Sequence, residues 1–66
     1  MKKKMYYYIV ECSNGINRIS TFKRAANHWD AEHLAEAEFF KEYMESPTEV
    51  ESRKSTKTEC YNLFNV

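Results

Sequence analysis

The sequence contains little glycine, proline or cysteine, and it has no long apolar run. A single glycine cannot build the Gly-rich loop that cradles phosphate groups. One glycine and one proline also argue against a disordered or low-complexity chain. The apolar run 5–10 is shorter than the about 7–15 residues of a signal sequence or the about 20 of a membrane span. We therefore expect a cytoplasmic protein with no membrane partner.

The two cysteines, Cys12 and Cys60, are too few for the disulfide framework of a small secreted domain. We predict two small, half-buried thiols. A single bridge between them stays open as an alternative, on the condition that their strands are neighbours.

The sequence offers no recognisable catalytic or metal-binding constellation. His28 and His33 are five residues apart, which places them about 140° apart around a helix, whereas zinc helices need i, i+4 spacing. No spacing brings a cysteine beside a histidine as a nucleophile and its base. A one-helix domain of this size also rarely encloses a pocket of about 300–1,000 Å³. We predict no enzyme activity, no catalytic residue, no metal and no cofactor.

The formal net charge of zero conceals a strong segregation of charge along the chain. Residues 1–28 carry six basic residues and one acid, residues 29–51 carry eight acids and one lysine, and residues 52–66 carry three basic residues and one acid. Charge sorted in this way gives a small protein opposed patches, which steer its partners.

The N-terminal half predicts a β-hairpin. Residues 5–12 are rich in aromatic and β-branched side chains, which favour a strand. Asn14-Gly15 is the strongest short hairpin signal, and a two-residue turn there pairs Ser13 with Ile16 and Glu11 with Arg18. Both faces of this hairpin carry apolar residues, so it needs two covers. One is the following helix, and a second subunit is a candidate for the other.

An amphipathic helix follows, starting between residues 21 and 30 and ending at Ser46-Pro47. Its predicted core-facing side is an arc of about 120°. That arc contains Phe22, Ala25, Ala26, Trp29, His33, Ala37, Phe40 and Met44. A second apolar line consists of Ala31, Ala35, Phe39 and Tyr43. This second line widens the core-facing arc or serves as a contact surface for another chain.

The remaining segments complete one domain spanning residues 1–66. We predict a disordered basic tail over 1–4, a loop over 48–57 with a short edge strand near Val50 as an alternative, and a last strand over 59–66. The fold class is α+β: a small antiparallel sheet, made of an N-terminal β-hairpin and a C-terminal strand, covered by one amphipathic helix in ββαβ order.

The acidic helix and its second apolar line predict a protein-binding module. The expected contact residues are Glu32, Ala35, Glu38, Phe39, Glu42 and Glu45. A line of carboxylates on a rigid helix suits a protein partner with a basic groove, as in inhibitors that phages and other mobile elements encode against host proteins. Apolar residues on both sheet faces and on two helix lines also favour a homodimer.

Two alternative functions stay open at the sequence level. The first is nucleic-acid binding, in which Lys2 to Lys4, Arg18 and Arg24 contact phosphates and a tyrosine stacks on a base. Overall neutrality makes this the weaker hypothesis. The second is a structural subunit of a larger complex.

Overall fold

The structure is a computed structural model that describes residues 4–66. Its elements in chain order are β1 (Tyr6–Ser13), β2 (Arg18–Ala25), α1 (His28–Tyr43), β3 (Glu49–Ser55) and α2 (Lys57–Leu63). The three strands form one antiparallel sheet in the order β2-β1-β3. The predicted α+β class and ββαβ order are confirmed. The predicted basic tail lies, apart from exposed Lys4, outside the described residues.

The hairpin forms, but its predicted register is wrong. Ser13 pairs with Arg18, and the loop therefore spans residues 14–17 instead of two residues. The Asn14 side-chain oxygen explains the longer loop, because it accepts hydrogen bonds from the backbone N–H groups of Ile16 (3.0 Å) and Asn17 (2.7 Å). Relative to the predicted pairing, each β1 residue meets a β2 residue two positions later. A shift of two keeps every side chain on its predicted face.

Helix α1 begins at His28, whereas the predicted apolar arc of the helix already included Phe22, Ala25 and Ala26. Phe22 and Ala25 belong to β2, and Asn27 caps the helix by accepting a hydrogen bond from the Asp30 N–H at 2.9 Å. The helix ends where Met44 adopts a left-handed conformation with φ of 58°.

The core-facing side of α1 is the opposite of the predicted one. Ala31, Ala35 and Phe39 are fully buried, and they pack in one cluster with Tyr8, Val10 and Cys12 of β1. Two alanines let the helix approach the sheet closely, and the Phe39 ring then fills the remaining space. The prediction placed the arc with the larger apolar side chains in the core, and this choice was wrong. Periodicity shows that a helix has an apolar face, but it does not show which of two apolar faces lies inside.

The C-terminal third differs from the main prediction in both of its elements. β3 occupies most of the predicted loop over 48–57, so the alternative of an edge strand near Val50 is confirmed, and this strand forms by backbone pairing along β1. α2 replaces the predicted last strand over 59–66. Its start has the Thr-x-x-Glu form of a capping box, and Thr56 Oγ1 accepts a hydrogen bond from the Glu59 N–H at 3.1 Å. Hydrogen bonds from Ser55 and Arg53 hold the pKa of the Glu59 carboxyl below its usual range.

The two helices cover opposite faces of the sheet. α2 covers the side away from α1 through a cluster of four aromatic rings, Tyr7, Phe22, Tyr61 and Phe64, with centroids 5.4–6.4 Å apart. The second cover is thus intramolecular. Cys12 lies under α1 and Cys60 in α2, and both are free and buried. Burial, together with the nearby carboxylates of α1, raises the pKa of the Cys12 thiol.

Candidate protein-contact surface

The structure divides the six predicted contact residues into two groups. Ala35 and Phe39 have no exposed surface, since both lie in the core between α1 and the sheet. They are wrong as contact residues, because a partner cannot reach them in the folded protein. The sequence predicts an exposed Phe39 ring as part of a contact surface. In the structure, Phe39 is the largest fully buried side chain among the described residues.

Three of the four predicted carboxylates bind other parts of the same chain. Glu38 forms a salt bridge with Lys23 of β2 at 2.6 Å. Glu45 accepts a hydrogen bond from the Asn14 side chain at 2.9 Å, and Glu32 accepts one from the Ser52 hydroxyl. Glu42 is exposed. Glu32 and Glu38 thus connect α1 to β3 and β2, and Glu45 connects the segment after α1 to the hairpin loop.

The side of α1 that faces away from the sheet is apolar. Trp29 is 64% exposed, Phe40 48% and Met44 73%, and His33 and Ala37 between them are exposed as well. At about 100° per residue these five side chains fall within an arc of about 80°, roughly 160° from Ala35. We call this set, Trp29, His33, Ala37, Phe40 and Met44, the outer stripe.

Charged residues border the outer stripe on both sides. Asp30 and Lys41 lie on one flank, about 60° and 80° from the middle of the stripe, and Glu36 lies about 60° away on the other flank. Asp30 and Lys41 are exposed, and Glu36 is half-buried. An apolar centre between charged borders is the usual composition of a protein interface.

A concavity of about 450 Å³ adjoins the stripe near the start of α1. Its apolar lining comes from Met5, Ala25, Ala26 and Leu34, and its polar lining from Arg24, Asp30 and His33. Leu34 is 50% exposed and extends the apolar surface away from the stripe. The Trp29 ring lies against His28 with the centroids 4.3 Å apart, which holds the indole at this end of the stripe.

The predicted nucleic-acid residues do not converge on one surface. Arg18 and Arg24 lie six residues apart on β2, which separates them by about 20 Å along the strand. Lys2 and Lys3 lie outside the described residues. The Tyr6 ring is occupied by the Lys54 ammonium, 3.7 Å from its centroid. Within residues 4–66 the two arginines therefore lie apart from each other and the Tyr6 ring already faces a lysine, and nucleic-acid binding stays a prediction.

A second concavity, of about 470 Å³, lies on the α2 side of the sheet, between Ile9 and the end of α2 at Leu63 and Phe64. Its rim carries Glu11 and Glu51, which pair directly across β1 and β3. Within residues 4–66 no three His, Cys, Asp or Glu side chains are grouped so that they could hold a metal ion. In the same range, no helix has the length and apolarity that crossing a membrane requires.

Sequence reasoning found every residue of the outer stripe but assigned all of them to the core. The available signal was the size of the side chains in the two apolar lines. The line containing two alanines permits close packing against a sheet, whereas the line with Trp29, Phe40 and Met44 does not.

Comparisons of the chain with protein-family models, with curated proteins and with solved structures find no match.

Proposed function

We propose that this chain is a non-enzymatic protein-binding module whose contact surface is the outer stripe of α1. The observation that carries the proposal is the exposure of Trp29, Phe40 and Met44 side by side on one helix that already buries its opposite side. A helix in contact with water on its outer side needs no large apolar residues there. Their presence is accounted for by a partner that covers them.

The size of the apolar surface supports this proposal. An aromatic side chain can bury about 150–250 Å², so the exposed fractions of Trp29 and Phe40 alone leave about 250 Å² for a partner. Met44, which is 73% exposed, enlarges this area further. The largest contiguous apolar patch on a small protein has about this size and is often the functional one.

The chemistry of the stripe favours a protein over a nucleic acid. A phosphate backbone requires several cations along its path, and the only basic residue on the flanks of the stripe is Lys41. Trp, Phe and Met are residues that protein interfaces prefer. A helix that presents apolar side chains at i, i+3 and i+7 spacing, as Ala37, Phe40 and Met44 do, fits a groove or another helix. Inhibition of a host protein and a role as a structural subunit both use such a surface, and both stay predictions.

The test compares partner capture by two matched variants of the immobilised chain. Trp29→Ser with Phe40→Ser removes two exposed apolar side chains from α1, and Leu63→Ser with Val66→Ser removes two from the α2 side. All four positions are exposed, so both variants should keep the native fold, which circular dichroism checks. We expect the α1 variant to lose the proteins that the wild-type chain retains from lysate, and the α2 variant to keep them.

Quantitative mass spectrometry of the captured proteins gives the readout. Undiminished capture by the α1 variant would contradict the proposal. Equal losses from both variants would also contradict it, because they would show general apolar adhesion instead of binding through one surface.

A further inference from the structure

We propose that the partner seated on the outer stripe is a second copy of this chain, with two α1 helices packed antiparallel about a twofold axis. The inference rests on the proposed function, since it assigns an occupant to the same surface. Three observations on α1 carry it: the charges on one flank, the small residue at the centre of the stripe, and the exposed apolar area.

The flank charges are self-complementary in an antiparallel pair. Asp30 lies near the start of α1 and Lys41 near its end, on the same side of the stripe. When two such helices run antiparallel, each Asp30 comes opposite Lys41 of the second copy, and symmetry produces this pair twice. The midpoint between Asp30 and Lys41 lies about one residue from the midpoint of the stripe, so the pairing that aligns the charges and the pairing that centres the apolar residues differ by about 3 Å along the helix axis. A lysine side chain is long and flexible enough to span this offset, so the register that centres the apolar residues also brings each Asp30 within reach of Lys41 of the second copy.

In that register the apolar side chains are complementary as well. Trp29 of one copy lies opposite Met44 of the other, which gives a thioether-to-aromatic contact. His33 lies opposite Phe40 of the second copy. Ala37 lies next to the twofold axis, where a small side chain lets two helices approach to the 8–10 Å that is typical of packed helices.

The area predicts a reversible dimer. Sixteen residues make α1 about 24 Å long, and a stable interface buries about 800 Å² on each partner. Trp29, Phe40 and Met44 supply the apolar centre of such a surface but only part of that area. We therefore expect dissociation in the micromolar range or weaker, with the population of dimer set by protein concentration.

One residue opposes the pairing and provides a sharp test. Glu36 lies on the other flank, close to the middle of α1, so it meets Glu36 of the second copy near the twofold axis. Like charges placed this way weaken association. We expect Glu36→Gln to tighten the dimer, which is an effect in the direction opposite to that of most surface substitutions.

Sedimentation equilibrium of the purified chain over a range of concentrations measures the dissociation constant. Asp30→Lys makes the flank wholly basic and Lys41→Asp makes it wholly acidic, so each variant should self-associate about tenfold more weakly than the wild type, because two exposed ion pairs become repulsive. An equimolar mixture of these two variants should recover association, because each Lys then faces an Asp. Urea unfolding of each variant confirms that the fold is retained.

A wild-type chain that stays monomeric up to about 1 mM overturns the inference, since binding weaker than that is not specific. Failure of the mixture to recover association, or no tightening by Glu36→Gln, overturns the antiparallel register.

A photo-crosslinking residue placed at Ala37 separates failure of the self-pairing from failure of the proposed function. Crosslinks to another protein in lysate, without self-crosslinks, leave the function standing and refute the self-pairing. An absence of both kinds of crosslink refutes both.

Discussion

Phe39→Ala should remove a large part of the protein's stability, whereas Phe40→Ala should leave it nearly unchanged. The Phe39 ring is fully buried between α1 and β1, and it packs against the Tyr43 ring in a tilted arrangement with the centroids 4.8 Å apart. Removing a buried phenylalanine side chain costs about 3–5 kcal/mol, because the contacts are lost and a cavity remains. A 66-residue domain has a total stability of roughly 3–10 kcal/mol, so this loss takes about a third of it or more.

Phe40 is the matched control, since it has the same side chain one position along the same helix but is 48% exposed. Its substitution should change the free energy of unfolding by about 0.5 kcal/mol or less. Urea unfolding followed by circular dichroism measures both variants. Similar losses for the two, or a larger loss for Phe40→Ala, would show that α1 is rotated relative to the sheet.

The second large effect concerns α2. A chain that ends at Ser55 lacks the helix, and we expect it to be largely unfolded or to aggregate. The truncation exposes Ile9 and Phe22 and removes the buried Cys60 and the Phe64 ring, which lies 5.4 Å from Phe22. The loss of this aromatic cover costs about 3 kcal/mol or more, by comparison with deletion of a single packed aromatic side chain.

A chain that ends at Phe64 is the control for this truncation. It loses only Asn65 and Val66, of which Val66 is exposed, together with one backbone hydrogen bond from the Val66 N–H to the Tyr61 carbonyl. We expect it to stay folded, with a transition midpoint close to that of the full chain. A cooperative thermal transition for the chain that ends at Ser55, at a similar temperature, would contradict the role of α2 as the second cover.

The sequence predicted those parts of the fold whose signals are local. Aromatic and β-branched residues located β1, Asn14-Gly15 located the hairpin loop, and Ser46-Pro47 located the end of the helical region. The register failed because the Asn14 side chain organises a longer loop, and that choice depends on hydrogen bonds which an Asn-Gly pair alone does not specify. β3 was predicted only as an alternative to a loop, because an edge strand with exposed charged residues forms by backbone pairing to β1 and carries little side-chain signal.

The contact surface was the hardest feature to predict. Periodicity identified two apolar lines on α1 and could not order them, because burial is decided by the sheet that receives the helix. Ala31 and Ala35 fit closely over Val10 and Cys12, whereas Trp29 and Phe40 are too large for that position. Sequence reasoning also did not foresee that Glu38 and Glu45 bind Lys23 and Asn14 within the chain, and their contact with a partner stays a prediction.

The central claim is that α1 buries its alanine line and presents the outer stripe to a partner, and Trp29 tests it most directly. It is the only tryptophan of the chain, so its fluorescence reports on the stripe alone. Acrylamide quenching at low protein concentration should be strong, as for a solvent-exposed indole, and should weaken with a blue shift of the emission as the concentration rises. Weak quenching and blue-shifted emission at the lowest concentration would place Trp29 in the core and contradict the account.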